Sequence, residues 1–185
     1  MATTYSQHTL PTYENILQQD FQANALNEKW VADITYCATD EGWVYLAVVM
    51  DLYSRKIIGW TMAKHMRTEL VCEALQNALQ SRGYPGGVIV HTDRGSQYCS
   101  NAYRALIAEH HLVGSMSATG CCYDNAAMES FFHSLKVELL HSLRFETRRE
   151  LKHEVFVYIE TEYNRQRRHS ACGYQSPENF ERLAA

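Results

Sequence analysis

Hydrophobic and polar positions divide this chain into strand-like runs and helical stripes. Trp30 to Ala38 reads as a strand, and Trp43 to Asp51 as a second whose near-continuous apolar character suits burial on both faces. Asp40-Glu-Gly42 supplies the turn between them, and Lys56 to Ala63 follows Tyr53-Ser-Arg55 as a third strand. Three adjacent strands with short turns predict an antiparallel meander. The period then changes. Val71, Ala74, Leu75, Ala78 and Leu79 recur at helical spacing behind Thr68, an expected N-cap, and Gly83 and Pro85 end the helix. Val88 to His91 is a short buried strand, Asn101 to His110 a helix, and Leu112 to Met116 a fifth strand. After the loop at 117–123, Met128, Phe132, Leu135 and Leu139 form an apolar stripe on a helix, with Asp124 as its expected N-cap. Glu129, His133 and Lys136 lie about 100° further round that helix. Thr147-Arg-Arg-Glu150 fits a capping box that opens a long helix to about Arg165.

Three strands, helix, strand, helix, strand, helices is the order of an α/β protein with a five-stranded mixed sheet flanked by helices. Strands 1 and 4 pair in parallel through a crossover helix. Their ends then lie together, where open sheets commonly bind ligands. Residues 1–28, rich in Gln, Asn and Thr and without Lys or Arg, read as an arm or linker with a short helix around Tyr13 to Phe21. Residues 29–166 form the core, and 167–185 an irregular tail.

The chemistry sits on this frame. Asp33 interrupts the first apolar run, Asp93 ends the fourth in Val-Ile-Val-His-Thr-Asp93-Arg-Gly-Ser-Gln97, and 35 residues separate Asp93 from Glu129. An acid inside an apolar strand is costly unless paired or metal-bound. Three carboxylates from two strands and a helix form a cage of hard oxygens suited to Mg²⁺, with Mn²⁺ as a substitute. Two such ions clamp the attacking and leaving oxygens of a phosphoryl displacement. Asp51, at a strand end beside a turn, reads instead as a structural hydrogen-bond acceptor.

Composition narrows the setting. The chain has 185 residues, 46% of them apolar and 21% charged, as expected for one globular domain. Its longest apolar run, Trp43 to Met50, is far short of a membrane span. The N-terminal residues lack the basic and apolar regions of a signal peptide. Six cysteines without a Cys-x-x-Cys pair point to a reduced, cytoplasmic setting and against zinc. The net charge of −4 argues against tight DNA binding, although basic residues gather late at Arg165, Arg167 and Arg168.

Five blocks carry a resemblance: Trp30-Val-Ala-Asp33-Ile-Thr-Tyr36, Asp51 to Trp60, His91-Thr-Asp93-Arg-Gly-Ser-Gln-Tyr98, Asp124 to Lys136, and Tyr163-Asn-Arg-Gln-Arg-Arg-His169 followed by Gly173-Tyr-Gln-Ser-Pro177. In this order and spacing they resemble the integrase-like catalytic core, of ribonuclease-H-like fold, of the second-frame transposase of the bacterial insertion sequence three family. The likeness covers about residues 27–182. It implies a catalytic, metal-binding triad of Asp33, Asp93 and Glu129, and a Lys136 that contacts DNA near the cut. It implies DNA strand cleavage and transfer at element ends, as in DNA recombination and integration, with DNA as partner. It also implies a homodimer or higher assembly on DNA, a first-frame protein of the same element as a further partner, and a nucleoid-associated location.

Ser96, Gln97 and His133 are further candidates for the DNA path, as are Arg165, Arg167 and Arg168. His91 reads as a polar neighbour of the site. Family members usually carry a helical DNA-end-recognising region upstream, and the chain has only the arm in its place. With the acid balance, this predicts weak, sequence-independent affinity for DNA. The alternative reading is a truncated, non-enzymatic regulator that binds or inhibits the full transposase.

Overall fold

The computed structural model describes residues 8–118 and 125–184. Asp124 lies outside the described residues. The strands are β1 (Lys29–Cys37), β2 (Val44–Asp51), β3 (Ile57–Ala63), β4 (Ile89–Thr92) and β5 (Val113–Met116). They form one sheet in the order β3-β2-β1-β4-β5. The first three pair antiparallel, and β4 joins β1 and β5 in parallel. This is the mixed sheet that the alternation of strands and stripes predicts.

Side-chain alternation gives the sheet two apolar faces. Trp30, Ala32 and Ile34 of β1 face α1 (Thr68–Ser81) and α2 (Asn101–Glu109), packing with Leu75, Leu79, Tyr103 and Ile107. Val31, Val48 and Met50 face the other way, onto Met128, Phe131 and Leu135 of α3 (Ala126–Leu135) and Leu151 and Val155 of α4 (Arg148–Val157). The closest approach between layers is at Gly59 in β3. A Cβ there would lie 2.4 Å from the Ala74 carbonyl and from the Ala78 nitrogen, so α1 seats on β3 only because that side chain is missing.

Two helices continue with a widened turn. After α3, Lys136–Leu140 is π-helical, and after α4, Tyr158–Tyr163 is too. The Thr147 hydroxyl accepts from the Glu150 nitrogen, as expected, while the Glu150 carboxylate reaches the Glu146 nitrogen, one residue earlier than a capping box requires. Thr68 is the first residue of α1 rather than its cap. That place is held by Arg67, whose side chain makes no capping bond.

Both termini are more structured than the sequence suggests. Residues 167–185 contain a helix, α5 (Pro177–Ala184), where an irregular tail was expected. Ser176 caps it, its hydroxyl accepting from the Asn179 nitrogen, and proline fits the first helical position. Asn164 ties the tail to the sheet, bonding both the nitrogen and the carbonyl of Ile57 at 2.9 Å. Cys172 is buried against the Ser54 carbonyl.

The expected helix at Tyr13–Phe21 is absent, because Gln18 and Gln19 adopt φ values of 48° and 62° that break it. The arm instead runs along the outer edge of β5. The Met116 nitrogen donates to the Glu14 carbonyl, Ile16 and Leu17 donate to the Ser115 hydroxyl, and Leu17 is buried in the core. Such a cover protects a sheet edge that would otherwise pair with another chain.

Candidate active site at the ends of β1 and β4

Strand register places the first two acids. Lys29, Trp30 and Val31 of β1 pair in parallel with Ile89, Val90 and His91 of β4. Extending this register by two residues sets Asp93 beside Asp33, on strands about 4.8 Å apart. Pairing stops before they are reached. Two side chains of like charge thus share one face where the strands are free to splay. Gly95 makes the turn after Asp93 possible. Its nitrogen donates to Asp93 Oδ1 at 2.8 Å, and a Cβ on it would lie 2.9 Å from that same oxygen.

Charge shows that the three acids are neighbours. The Asp33 carboxyl is raised to a pKa of about 8, first by burial and then by the charges of Asp93 and Glu129. Opposing this are the Ile34 nitrogen, which donates to Asp33 Oδ1 at 2.7 Å, and the nearby Asn125 amide. Asn125 is buried, yet neither polar atom of its side chain meets a hydrogen-bond partner among the described residues. Among these residues, no three His, Cys, Asp or Glu side chains stand close enough to complete a metal-ligand set. The site therefore consists of two adjacent aspartates with Glu129, exposed on α3, felt through its charge. It offers hard oxygens held close enough for their charges to act on one another. That combination fits a divalent cation.

Glu129, His133 and Lys136 line one open cleft of about 390 Å³ with Asp33, Thr35 and Tyr36. The helical spacing that put these three on one face of α3 is thus realised, and α3 packs against β1 through its apolar stripe. Lys136 is partly buried, its Nζ 5.8 Å from the centre of the Tyr36 ring. Its charge also reaches Cys37, where it opposes the burial that raises the thiol to about 12.

The remaining candidates separate. Ser96 is half-buried beside Asp93, while Gln97 is buried and donates to the Met66 carbonyl. His91 is fully buried between the Ser115 and Ser117 hydroxyls, at 2.9 and 3.1 Å, so it braces β4 against β5. Arg165 pairs with Glu178 and Arg167 with Glu138, and Arg168 is exposed; none of the three lines the cleft. Asp51 is structural as expected, accepting from the Asn27 and Tyr53 nitrogens. Tyr36 and Asn125 were not singled out by sequence reasoning. The signal for Tyr36 was its position three residues after Asp33 on the same strand.

The integrase core domain model matches residues 23–122, and a second integrase core domain model matches 129–183. Transposase InsF for insertion sequence IS3A of Escherichia coli (strain K12) is 60% identical over 178 residues, 96% of this chain and 62% of that protein. The insertion element IS600 uncharacterized 31 kDa protein of Shigella sonnei is 50% identical over 179 residues, 97% of this chain and 66% of its own length. Among solved structures, the HTLV-2 integrase catalytic core domain in complex with magnesium (trimeric form) superposes with a TM-score of 0.63 at 15% identity. The match covers 86% of this chain and 99% of that one. A chain of the simian T-cell lymphotropic virus intasome in complex with PP2A regulatory subunit B56 gamma gives 0.72 at 16%, covering 96% and 60%. The two retroviral likenesses establish the ribonuclease-H-like fold, and the chain spans 62% of the length of its InsF relatives. With integrase core models matched along most of its length, this chain belongs to the integrase core domain family.

Proposed function

We propose that this domain cleaves and joins DNA strands at the ends of an insertion sequence, with Asp33, Asp93 and Glu129 as its catalytic carboxylates. The observation that supports this most is the placement of Asp93 next to Asp33, two residues beyond the last paired position of β1 and β4, where the charges of Asp93 and Glu129 both act on the Asp33 carboxyl. Asp33, Asp93 and Glu129 would hold one or two divalent ions, Mg²⁺ or Mn²⁺, and such ions supply charge neutralisation and Lewis acidity at a phosphodiester.

The chain's own residues do the positioning. Lys136 holds a phosphate of the scissile strand at the wall of the cleft, as a cation that binds no metal. His133 and Ser96 flank the DNA path at the cleft rim. In cleavage, a water oxygen bonds to phosphorus as the bond to the 3′ oxygen breaks, leaving a 3′-hydroxyl. In transfer, that hydroxyl bonds to a target phosphorus and the target's own 3′ oxygen departs. No covalent link to the protein forms, so the enzyme contributes orientation and electrostatics. DNA ends, target DNA, a second copy of the chain and a first-frame protein are the partners in this reading. The proposed location is the cytoplasm, on the nucleoid.

The test is nicking of supercoiled plasmid in Mg²⁺ by the purified chain, with Asp93→Asn beside it. The wild type should nick and the variant should lose at least about a thousandfold in rate, with its thermal unfolding preserved. Equal nicking by both, or none by the folded wild type, would overturn the assignment.

A further inference from the structure

A second cleft, of about 240 Å³, lies beyond Lys136, lined by Tyr36, Trp43, Lys136, Leu140 and His141, among others. It shares Tyr36 and Lys136 with the carboxylate cleft, so the two are continuous. Trp43 precedes β2 and remains 42% exposed, although it begins the most apolar run in the chain. Its ring stands edge-on to Tyr36, with centroids 5.1 Å apart and planes at 82°. The geometry therefore presents aromatic surface to solvent beside a lysine held over the neighbouring ring.

The backbone is shaped to this cleft as well. At Lys136 the α-helix widens into the π turn, closed by the His141 nitrogen on the Lys136 carbonyl at 2.8 Å. A π turn adds a residue to the loop, so His141 comes round to the side of Lys136 and both line the cleft. Such turns are rare and gather at functional sites.

Resting on the function proposed above, we infer that this cleft seats one unpaired nucleobase of the DNA end, stacked on Trp43 with Tyr36 at its edge. Exposed aromatic faces flanked by cations are how proteins hold single-stranded nucleic acid. A base becomes available for such stacking only when it leaves its duplex. The cleft is smaller than the roughly 300–1,000 Å³ of drug-sized pockets, so it suits a single ring system rather than a base pair. Lys136 then meets the phosphate next to the seated base, and the following phosphate falls at the carboxylates. The cleft thereby sets which phosphodiester is presented for cutting.

The experiment uses a forked DNA end with 2-aminopurine at its unpaired terminal position, and a blunt duplex of the same sequence. Binding is read in the Asp93→Asn chain, which should not cut. Fluorescence of the 2-aminopurine should be quenched on binding. Adding Trp43→Ala should abolish the quench and weaken forked-end binding roughly tenfold, as loss of one stacked base does. Blunt-duplex binding should be unchanged, and Trp43→Phe should restore most of the forked-end affinity. Persistent quenching in Trp43→Ala, or equal weakening of both DNAs, would overturn the base seat. Should Trp43→Ala unfold, tryptophan emission of a Trp60→Phe chain, which keeps exposed Trp43 and buried Trp30, decides: quenching by the forked end alone supports the seat, and equal quenching by both DNAs rejects it. Wild-type plasmid nicking is measured separately, so its failure would sink the cleavage reading and leave this binding result standing.

Discussion

Two acidic clusters lie along β1, one at its start, where Asp51 faces Trp30, and one further on at Asp33, and burial that raises both aspartates is opposed by cations only at the first. At the first, Asp51 is fully buried, yet its oxygens accept from the Asn27 and Tyr53 nitrogens and, at 3.4 Å, from Arg82. Glu181 of α5 takes Arg82 through both guanidinium nitrogens, the Ser54 hydroxyl and, at 3.3 Å, Lys56. Burial pushes the Glu181 carboxyl up, but the bonds from Arg82 and Ser54 outweigh it and hold it below its ordinary value. At the second, burial acts on Asp33 too, and there Asp93 and Glu129 add to the effect instead of opposing it. The first cluster carries its own cations and fastens the tail to the sheet. In the second the acids act on one another, and each neighbour raises the cost of ionising Asp33.

The sharpest way to break the contrast is to remove the internal cation. Arg82→Met keeps an apolar stem but leaves Asp51 and Glu181 without their guanidinium. It should cost about 3–5 kcal/mol of stability, the range for breaking a buried pair, measured by urea unfolding. A loss below about 1 kcal/mol would mean that Arg82 does not hold the first cluster together.

Changes at Lys136 should leave stability alone and act on DNA. Lys136→Ala is expected to weaken crosslinking to the terminal nucleotides and end joining about tenfold, or about 1.4 kcal/mol, with unfolding unchanged. Lys136→Glu should be worse, since it adds an acid where phosphate enters. Wild-type joining by both variants would show a lysine that only solvates the helix.

The smallest effect tests the action of the acids on one another. Asp33 has a folded-state pKa of about 8 against an ordinary 3.8. A raised carboxyl favours the folded chain at low pH, and that contribution fades as pH rises from about 4 to about 8. Asp33→Asn has no charge to lose. In chelator it should melt at the same temperature as wild type near pH 4 and at a clearly higher one at pH 8. A gap that stays flat or reverses with pH would remove the electrostatic argument for the site.

Sequence pattern made the sheet legible because its strands are apolar runs cut by Asp and Gly, and because Asp33 and Asp93 interrupt those runs. The α3 face was legible for the same reason: Met128 and Leu135 fix which side faces the sheet, so Glu129 and Lys136 follow. Three features were not. The arm's Gln18 and Gln19 take left-handed backbone that their residue type does not announce. Helix α5 is only eight residues long, so its stripe of Pro177, Phe180 and Leu183 is brief, and its cue was the Ser176-Pro177-Glu178 cap. Trp43 belongs by composition to a buried strand, and only the turn geometry turns it to solvent beside Tyr36. How closely Glu129 approaches the aspartates depends on tertiary packing and on the ions the acids hold, neither of which a spacing of residues encodes.

The most direct test of the account is calorimetric titration of Mn²⁺ into the purified chain at pH 7, in two buffers of different ionisation enthalpy, beside Asp33→Asn. The account predicts that wild type binds the ion and releases about one proton as the Asp33 carboxyl is forced to ionise, while Asp33→Asn binds at least about tenfold more weakly and releases none. Equal affinity and equal proton release in the two proteins would contradict a metal site built on Asp33.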